Sequence, residues 1–519
     1  MMKITLSHLM LGFIVVAAMA LRCFHAFTEP IWLDELHTSW VIDGSLNEVL
    51  DRSILGNQMP LYFWICWLVN ASLPDSLFPP RIVSLACGLG LMFTCEVWVW
   101  AWSQDRVATT LASITTAIHP NFIFYSSEGR PYAMLQFLGL LQLYFFARWL
   151  SRISATQKVP HWPTAVGLIF LTIALLYTHV TCVWLLLAEV IYVIYHFIRE
   201  RKVSILVQSL ILASITSIAC IPILRTVSTA YSRKENWNSL SSLAQVFGDL
   251  LPDWIGFLLI PITLVGLYQF LGIGNGSRPS ETIANTTDPV GLSISHYAWQ
   301  TLILCLAVPI LSLCILVAIG VPIGLSRYLQ VTWVAAPIFA AIMIGKIKLR
   351  KFQIPVAFLI VLTFVAMSPF YRQLVSESRL PAFRTERWQP IVLEINRTSA
   401  YKDKPVFLFA NVIEDSASLE IENSAFVEYL TFPLRGIYRV KFNPVIPRPT
   451  MARQHFAIND VKDAIESDGC WFVVRGNKML VEEIVTQFGK IAFDEFGRDS
   501  DFKVFSGKDS QVFLLRVHF

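Results

Sequence analysis

The sequence has little charge for its length. Only 15% of its 519 residues are charged, whereas a soluble globular protein carries about 25%. The missing charge corresponds to long apolar runs such as Leu302–Gly324 and Val356–Met367. Runs near 20 residues match a bilayer core of about 30 Å at 1.5 Å per residue. The composition therefore excludes an ordinary soluble protein and predicts an integral membrane protein.

Other features that the sequence lacks argue against several partners and cofactors. The net charge of +4 is small, and no basic stripe is interleaved with aromatic residues, which argues against nucleic acid as a partner. The C-terminal part contains no P-loop and no G-x-G-x-x-G, so no nucleotide cofactor is indicated. The nine cysteines include no C-x-x-C pair, and eight of them lie in apolar segments. This pattern predicts neither a disulfide framework nor a cysteine metal site.

The apolar runs predict about eleven membrane-spanning helices. The segment 60–73 is apolar but short and is followed by Pro79-Pro80, so we interpret it as interfacial. The predicted spans are 4–24, 82–102, 107–125, 131–150, 163–179, 181–198, 203–224, 254–272, 297–320, 326–345 and 352–371.

Lysine and arginine in the short loops predict the orientation of these spans. Basic clusters follow the fourth, sixth and tenth spans, so all three lie on one face, and cytoplasmic loops are the ones enriched in these residues. Three basic residues after the seventh span are exceptions. On this basis loop 25–59, turn 126–130 and the tail from about 372 lie outside the cytoplasm, and the protein lies in the cell membrane.

The last 140 residues differ in character from the rest. Short strand-like runs alternate with helical patterns there, which is typical of a small α/β domain. We therefore divide the chain into a transmembrane domain, 1–375, and a soluble extracytoplasmic domain, 376–519. The predicted strands are Pro405–Ala410, Tyr438–Phe442, Cys470–Val474 and Gln511–Val517. The predicted helices are Glu386–Asn396, Asn459–Glu466 and Lys478–Phe488.

Two groups of acids fall on the predicted external face. Asp34 and Glu35 follow the first span, and Glu128 stands in the turn between the third and fourth spans. Desolvation near the interface raises the pKa of a carboxyl group and a nearby cation lowers it, so such acids suit proton transfer. The alternative is that they are solvated loop acids, or that Glu128 simply pairs with Arg130.

Two further polar residues lie at span ends on the same face. Arg327 starts the tenth span, and a guanidinium there can hold a phosphate through two parallel hydrogen bonds. The alternative is a snorkelling anchor. His179 ends the fifth span and is either a ligand-binding residue or a structural hydrogen-bonding residue.

Five motifs occur in an order that resembles a known superfamily. They are Asp34-Glu35, Gln58-Met59-Pro60-Leu61-Tyr62, Glu128-Gly129-Arg130-Pro131-Tyr132, Tyr177-Thr178-His179 and Arg327-Tyr328-Leu329. The ordered set, over about residues 4–345, resembles the bacterial branch of the protein O-mannosyltransferase and lipid A aminoarabinose transferase superfamily. Those proteins are GT-C fold glycosyltransferases that use polyprenyl-phosphate sugars.

The resemblance implies roles for the motif residues. Asp34, Glu35 and Glu128 would be catalytic, and Asp34 and Glu128 would also hold a divalent metal ion where one is used. The substrate-binding residues implied are Arg130, Tyr132, Arg327, Tyr62 and His179. One departure is Gln58, which stands where the family commonly has a basic residue or histidine before two prolines.

The function expected from these features is sugar transfer by inversion. The donor would be a sugar on a polyprenyl phosphate, bound among membrane lipid, and the acceptor a glycan, lipid or protein. A carboxylate would deprotonate the acceptor while arginine stabilises the departing phosphate. The competing interpretations are a multi-span transporter of a lipid-linked or small anionic substrate, and a receptor whose soluble tail does the work.

Overall fold

The computed structural model is mostly helical, with one small sheet near the C-terminus. It describes residues 6–73, 78–156, 162–232, 243–271, 289–318, 326–378, 380–411, 424–450, 455–505 and 510–519. The helices of the first half are α1 (Leu6–Thr28), α2 (Leu33–Ile42), α3 (Leu46–Leu55), α4 (Leu61–Asn70), α5 (Pro79–Ser103), α6 (Arg106–Ile118), α7 (Pro120–Ser126), α8 (Tyr132–Thr156), α9 (Trp162–Thr178), α10 (Val183–Glu200) and α11 (Val203–Ala219).

The second half continues the bundle and then forms the C-terminal domain. Its helices are α12 (Leu224–Ser232), α13 (Leu243–Asp253), α14 (Ile260–Phe270), α15 (Pro289–Ala318), α16 (Gln330–Gly345), α17 (Arg350–Met367), α18 (Pro369–Glu377), α19 (Trp388–Arg397), α20 (Ser424–Arg435), α21 (Ile458–Glu466) and α22 (Lys478–Phe496). Its strands are β1 (Val406–Phe409), β2 (Val445–Pro447), β3 (Cys470–Arg475), β4 (Asp501–Val504) and β5 (Val512–His518).

The helices agree with a polytopic membrane protein. Among the described residues, seven helices are long and apolar enough to cross a membrane, and eight if the bent pair Val203–Ala219 and Ile221–Ser228 is one span. Three other predicted spans coincide with shorter helices, namely α6, α9 and α16. Residues 4–5, 272 and 319–320 of the predicted spans lie outside the described residues. The predicted fold class is confirmed: a mostly helical membrane protein with a C-terminal α/β domain.

A helix break carries the chain from the bundle to the turn 127–131. The third predicted span is two helices, α6 and α7, because Pro120 has no amide hydrogen to continue the first. The carbonyls left at the break are satisfied by a buried guanidinium, that of Arg22, which donates to the backbone oxygens of Thr116 (2.7 Å) and Ala117 (3.1 Å). The break therefore brings the turn 127–131 to the end of the bundle.

The C-terminal sheet is mixed. Its strand order is β2-β1-β3-β5-β4, with β1 parallel to β2 and β3, and β5 antiparallel to β3 and β4. Three of the predicted strands and all three predicted helices are confirmed, with shifted ends. The predicted strand Tyr438–Phe442 is wrong: Tyr438 and Val440 pack partly buried against the core, but the segment is not one of the five strands of the sheet, and Val445–Pro447 pairs with β1 instead.

Helices α2 and α4 share one apolar core with the C-terminal domain. Trp40 of α2 and Tyr62 of α4 are fully buried in the same cluster as Trp388 of α19 and Trp471 of β3. The apolar segment 60–73 contributes helix α4 to this core, and its interfacial position stays a prediction. The division of the chain at residues 375 and 376 stays a prediction.

Candidate active site

The turn before α8 lies directly against the first turn of α2. The amide of Gly129 donates to Glu35 Oε1 at 2.7 Å, and Arg130 Nη1 donates to the backbone oxygen of Asp34 at 3.3 Å. A Cβ at Gly129 would lie 2.8 Å from Pro80, so only glycine allows this close approach. Two acidic motifs about 94 residues apart in sequence thus form one site.

Asp34 faces a cluster of guanidinium groups. Its side chain is 26% exposed, and its Oδ2 lies 3.9 Å from Arg130 Nη2. Burial by itself raises the pKa of the Asp34 carboxyl, but the charges of Arg130, Arg327 and Arg475 outweigh that effect and hold the pKa below its ordinary value. Asp34 is therefore an ionised, partly accessible carboxylate that can accept a proton.

Glu128 has the opposite character. Its side chain is buried, and Oε2 has no hydrogen-bond partner. Burial raises the pKa of Glu128 to about 8, although the guanidinium of Arg384 opposes the shift. The group is therefore a neutral carboxyl at pH 7 that can donate a hydrogen bond. Paired acids whose pKa values are pushed apart are typical of sites where one accepts and the other donates a proton.

Glu35 is held in an internal ion pair. It is fully buried, and its two oxygens accept from Arg81 Nε (2.7 Å) and Arg81 Nη2 (2.5 Å). These contacts, with the Gly129 amide, occupy both oxygens. The geometry therefore supports a positioning role for Glu35, since it joins α2, α5 and the 127–131 turn.

The predicted substrate-binding residues at the span ends come together. The rings of Tyr132 and His179 have centroids 5.2 Å apart, and Arg327 interacts electrostatically with Tyr132 and Asp34. The guanidinium groups of Arg130 and Arg327 lie within electrostatic range of the His179 imidazole. Arg130, Tyr132, His179 and Arg327 therefore line the side of the site next to the membrane helices.

Tyr62 lies behind this cluster. Its hydroxyl is buried and bonds to the backbone oxygen of Pro80 (2.8 Å) and to Ser84 Oγ (2.9 Å), which in turn donates to the Arg130 oxygen (3.2 Å). These bonds brace the turn that carries Arg130. The contacts of Tyr62 are thus structural, and its predicted contact with substrate stays a prediction.

Several residues near the site were not predicted. His37 stands one turn after Asp34, its ring stacks on Tyr429 at 3.9 Å, and its buried Nε2 has no partner. Burial lowers the pKa of His37 to about 3. The others are charged residues that approach the start of α2 from α5 and from the C-terminal part: Arg81, Arg384, Glu386 and Arg475. In the sequence, the charged run Arg384-Thr385-Glu386-Arg387 is the feature that could have indicated Arg384 and Glu386 as site residues.

The side chains at the site form a poor cage for a metal ion. No group of three or more His, Cys, Asp or Glu side chains in the described residues is close enough to hold one. Asp34 and Glu128, the two predicted ligands, are surrounded by the positive charges of Arg130, Arg327 and Arg384. These charges compete with a cation, and a divalent ion at this site stays a prediction.

Comparison with known proteins gives a fold-level likeness. No family model matches the chain, and no curated protein matches it. Similar solved structures include two crystal structures of ArnT from Cupriavidus metallidurans, one bound to undecaprenyl phosphate and one in the apo state. The first is 10% identical with a TM-score of 0.43, covering 99% of this chain and 98% of that chain. The second is 10% identical with a TM-score of 0.42, covering 98% of this chain and 97% of that chain. At this identity no residue role transfers from those structures, so the roles are argued from the side chains of this chain.

Proposed function

We propose that this protein is an inverting glycosyltransferase that moves a sugar from a polyprenyl-phosphate donor to an acceptor at the extracytoplasmic face of the membrane. The observation that carries the proposal is the arrangement of arginines. Four of the five near the site each have a carboxylate partner: Arg81 with Glu35, Arg130 with Asp34, Arg384 with Glu29, and Arg475 with Glu386. Arg327 is in no ion pair among the described residues, and its Nε lacks a partner. Arg327 is thus close to the ionised Asp34 but forms no ion pair with it. Such a guanidinium is suited to bind an anionic phosphate.

An apolar cleft next to Arg327 supports a lipid-linked donor. The backbone oxygen of Arg327 accepts from Gln330 Nε2 at 2.8 Å, and Gln330 Oε1 accepts from Gln136 at 2.6 Å. Both amides line a small cleft whose other walls are mostly leucine, valine and isoleucine from α8, α10, α15 and α16. A phosphate on Arg327 would therefore have apolar helix surfaces close to it, which suits a lipid-linked donor.

The chemistry follows from the two acids. Asp34 takes the proton of an acceptor hydroxyl or amine as that atom bonds to the anomeric carbon. The bond from the anomeric carbon to the phosphate oxygen breaks, and its electron pair stays on the phosphate, where Arg327 stabilises it. The neutral carboxyl of Glu128 donates a hydrogen bond to an oxygen of the donor. One displacement without a covalent intermediate inverts the sugar.

A transporter is the second candidate, and one observation favours it. Glu189 of α10 is buried among the helices, where its Oε2 accepts from Gln142 Nε2 at 2.9 Å and its Oε1 has no partner. An ionisable group inside a membrane bundle often marks a transport pathway. The remaining features favour the transferase, because the cluster around Asp34 lies at one end of the bundle.

The proposal can be tested by binding undecaprenyl phosphate to the purified full chain in nanodiscs. Arg327→Lys keeps the charge but loses the planar fork, so we expect affinity to fall about tenfold, the equivalent of one charge-assisted hydrogen bond. The control is Arg148→Lys, a half-buried arginine of α8 that donates to Tyr144. That substitution should leave binding within about twofold, as expected of a snorkelling side chain. Equal binding by wild type and Arg327→Lys would contradict the phosphate assignment.

The transfer itself can be tested in cells. Glycans and lipids from cells with wild-type protein or with Asp34→Asn are compared by mass spectrometry. We expect one sugar-bearing species to disappear in Asp34→Asn at equal expression, which would also identify sugar and acceptor. Two results together would favour the transporter instead. The glycan and lipid profiles would be unchanged, and proteoliposomes would take up a lipid-linked or anionic solute in a flux that Glu189→Gln abolishes.

A further inference from the structure

One carboxylate of the C-terminal segment joins the start of α2 to the sheet. Glu386 is buried, and its Oε2 accepts from the backbone amide of Leu33 at 3.0 Å and from Trp388 Nε1 at 3.1 Å. Its Oε1 accepts from Arg475 Nε at 2.7 Å, at the end of β3. Leu33 is the first residue of α2, and Asp34 is the second. The Glu386 carboxylate therefore holds the backbone one residue before the proposed general base.

Other contacts hold the same helix and loop on the C-terminal side. Arg384 Nη1 pairs with Glu29 at 2.7 Å, just before α2. The His37 ring, one turn after Asp34, stacks on Tyr429 of α20. The first two turns of α2 are thus attached to the C-terminal domain at both ends.

We propose that Glu386 is a positioning residue for the reaction at Asp34, fixing the first turn of α2 and setting the Arg475 guanidinium beside it. This inference rests on the proposed function in one respect, that Asp34 acts on the substrate. It gives the C-terminal domain a direct part in the reaction, since the domain holds the helix that carries the base.

The two oxygens of Glu386 have partners in different parts of the chain. A role inside the C-terminal domain alone would need only the pair with Arg475, which joins two residues of that domain. The second oxygen instead receives a backbone amide in the first turn of α2, one of the four amides that a helix cannot satisfy internally. A carboxylate there is also favoured by the helix dipole. A shift of about 1 Å in a catalytic group can cost about 10²-fold in rate, so loss of this contact should appear in turnover.

The first test does not depend on the reaction. In Glu386→Gln the charge is lost and only one oxygen remains for the Leu33 amide and the Arg475 Nε. Hydrogen exchange of the full chain in nanodiscs should then be about tenfold or more faster in peptides covering residues 30–38, because a hydrogen bond to a charged group is lost. The matched control is Asp460→Asn, a buried acid of the same domain whose carboxylate bonds to Arg448 and to the backbone amide of Ala457. The inference would be overturned if hydrogen exchange over residues 30–38 were the same in Glu386→Gln as in wild type. It would also be overturned if Asp460→Asn accelerated exchange there as much as Glu386→Gln does.

The second test separates positioning from stability. We expect Glu386→Gln to lower kcat by about 10–100-fold while undecaprenyl phosphate binding stays within about threefold, since Arg327 is held by other elements. In the Asp34→Asn background the same substitution should have no further effect on the residual rate, because no base is left to position. A purely structural contribution would lower the residual rate again, and that additive result would refute the assignment. Failure of the proposed function is a different result: Arg327→Lys would then bind the lipid phosphate as well as wild type.

Discussion

Asp34 and Glu35 are neighbours in sequence, and the structure predicts opposite consequences when each is neutralised. Glu35→Gln removes the charge from a fully buried ion pair, because both oxygens of Glu35 bond to Arg81 and the pair is closed to solvent. A glutamine in the same position has one oxygen and would turn its amide hydrogens toward a guanidinium. Arg81 would remain buried without its counter-charge.

The size of the effect follows from the remaining contacts of Arg81. Breaking a buried pair by removing one partner costs about 3–5 kcal/mol. Arg81 keeps hydrogen bonds to the backbone oxygens of Ala26 (2.6 Å), Glu29 (2.9 Å) and Pro30 (2.9 Å), so we expect the lower end of that range, about 3 kcal/mol. Asp34 is 26% exposed and 3.9 Å from Arg130, so Asp34→Asn should change stability by less than about 1 kcal/mol.

The assay is thermal unfolding of the purified protein in one detergent, with turnover measured on the same samples. Glu35→Gln should unfold at a clearly lower temperature and keep part of its turnover below that temperature. Asp34→Asn should unfold like wild type and lose about 10²–10⁴-fold in rate, the usual contribution of a general base. The reasoning is refuted if Asp34→Asn is the less stable of the two variants, or if Glu35→Gln unfolds at the wild-type temperature.

Three further predictions concern pH, topology and metal. Burial raises the pKa of Glu128 to about 8, whereas an unfolded glutamate has a pKa of about 4.5. The unfolded chain therefore loses this proton first, and the wild type loses stability as pH rises from about 4.5 to about 8. In melting experiments Glu128→Gln should lose less stability over this range, and its turnover should be lower. Cysteines introduced at the exposed Asn47 and Glu482 should react with an impermeant maleimide on intact cells, and reaction only after permeabilisation would reverse the proposed orientation. If Asp34 and Glu128 hold a divalent ion, EDTA should abolish turnover and Mg²⁺ or Mn²⁺ should restore it, whereas full activity in EDTA removes the ion from the reaction.

The fold was predictable where one physical requirement dominates. A bilayer forces backbone groups to bond within each segment, so the long apolar runs had to be helices. The break at Pro120 was not predicted, because it depends on the buried guanidinium of Arg22 that satisfies the freed carbonyls. In the C-terminal domain, alternation over Tyr438–Phe442 favoured a strand, yet the segment is not one of the five strands of the sheet, which recruits Val445–Pro447.

The site was predictable as a set of residues on one face, but not as a set of contacts. Topology alone placed Asp34, Glu128 and Arg327 at the same end of the bundle, and the structure brings their charges into range of one another. The partner of Leu33 could not be predicted, since Glu386 lies 353 residues further along the chain. Pairing at such a distance depends on how the C-terminal domain packs on α2, and no local pattern records it.

The different fates of Asp34 and Glu35 come from helix geometry. Successive residues of an α-helix point about 100° apart, so two adjacent acids leave the helix in different directions. Once the Gly129 turn and Arg81 fix the direction of Glu35, Asp34 must point elsewhere, toward Arg130 and the open side of the site. The buried pair thus sets the direction of the partly exposed acid. An Asp-Glu dipeptide at the start of a helix can therefore contain a structural acid and a reactive one, and burial shows which is which.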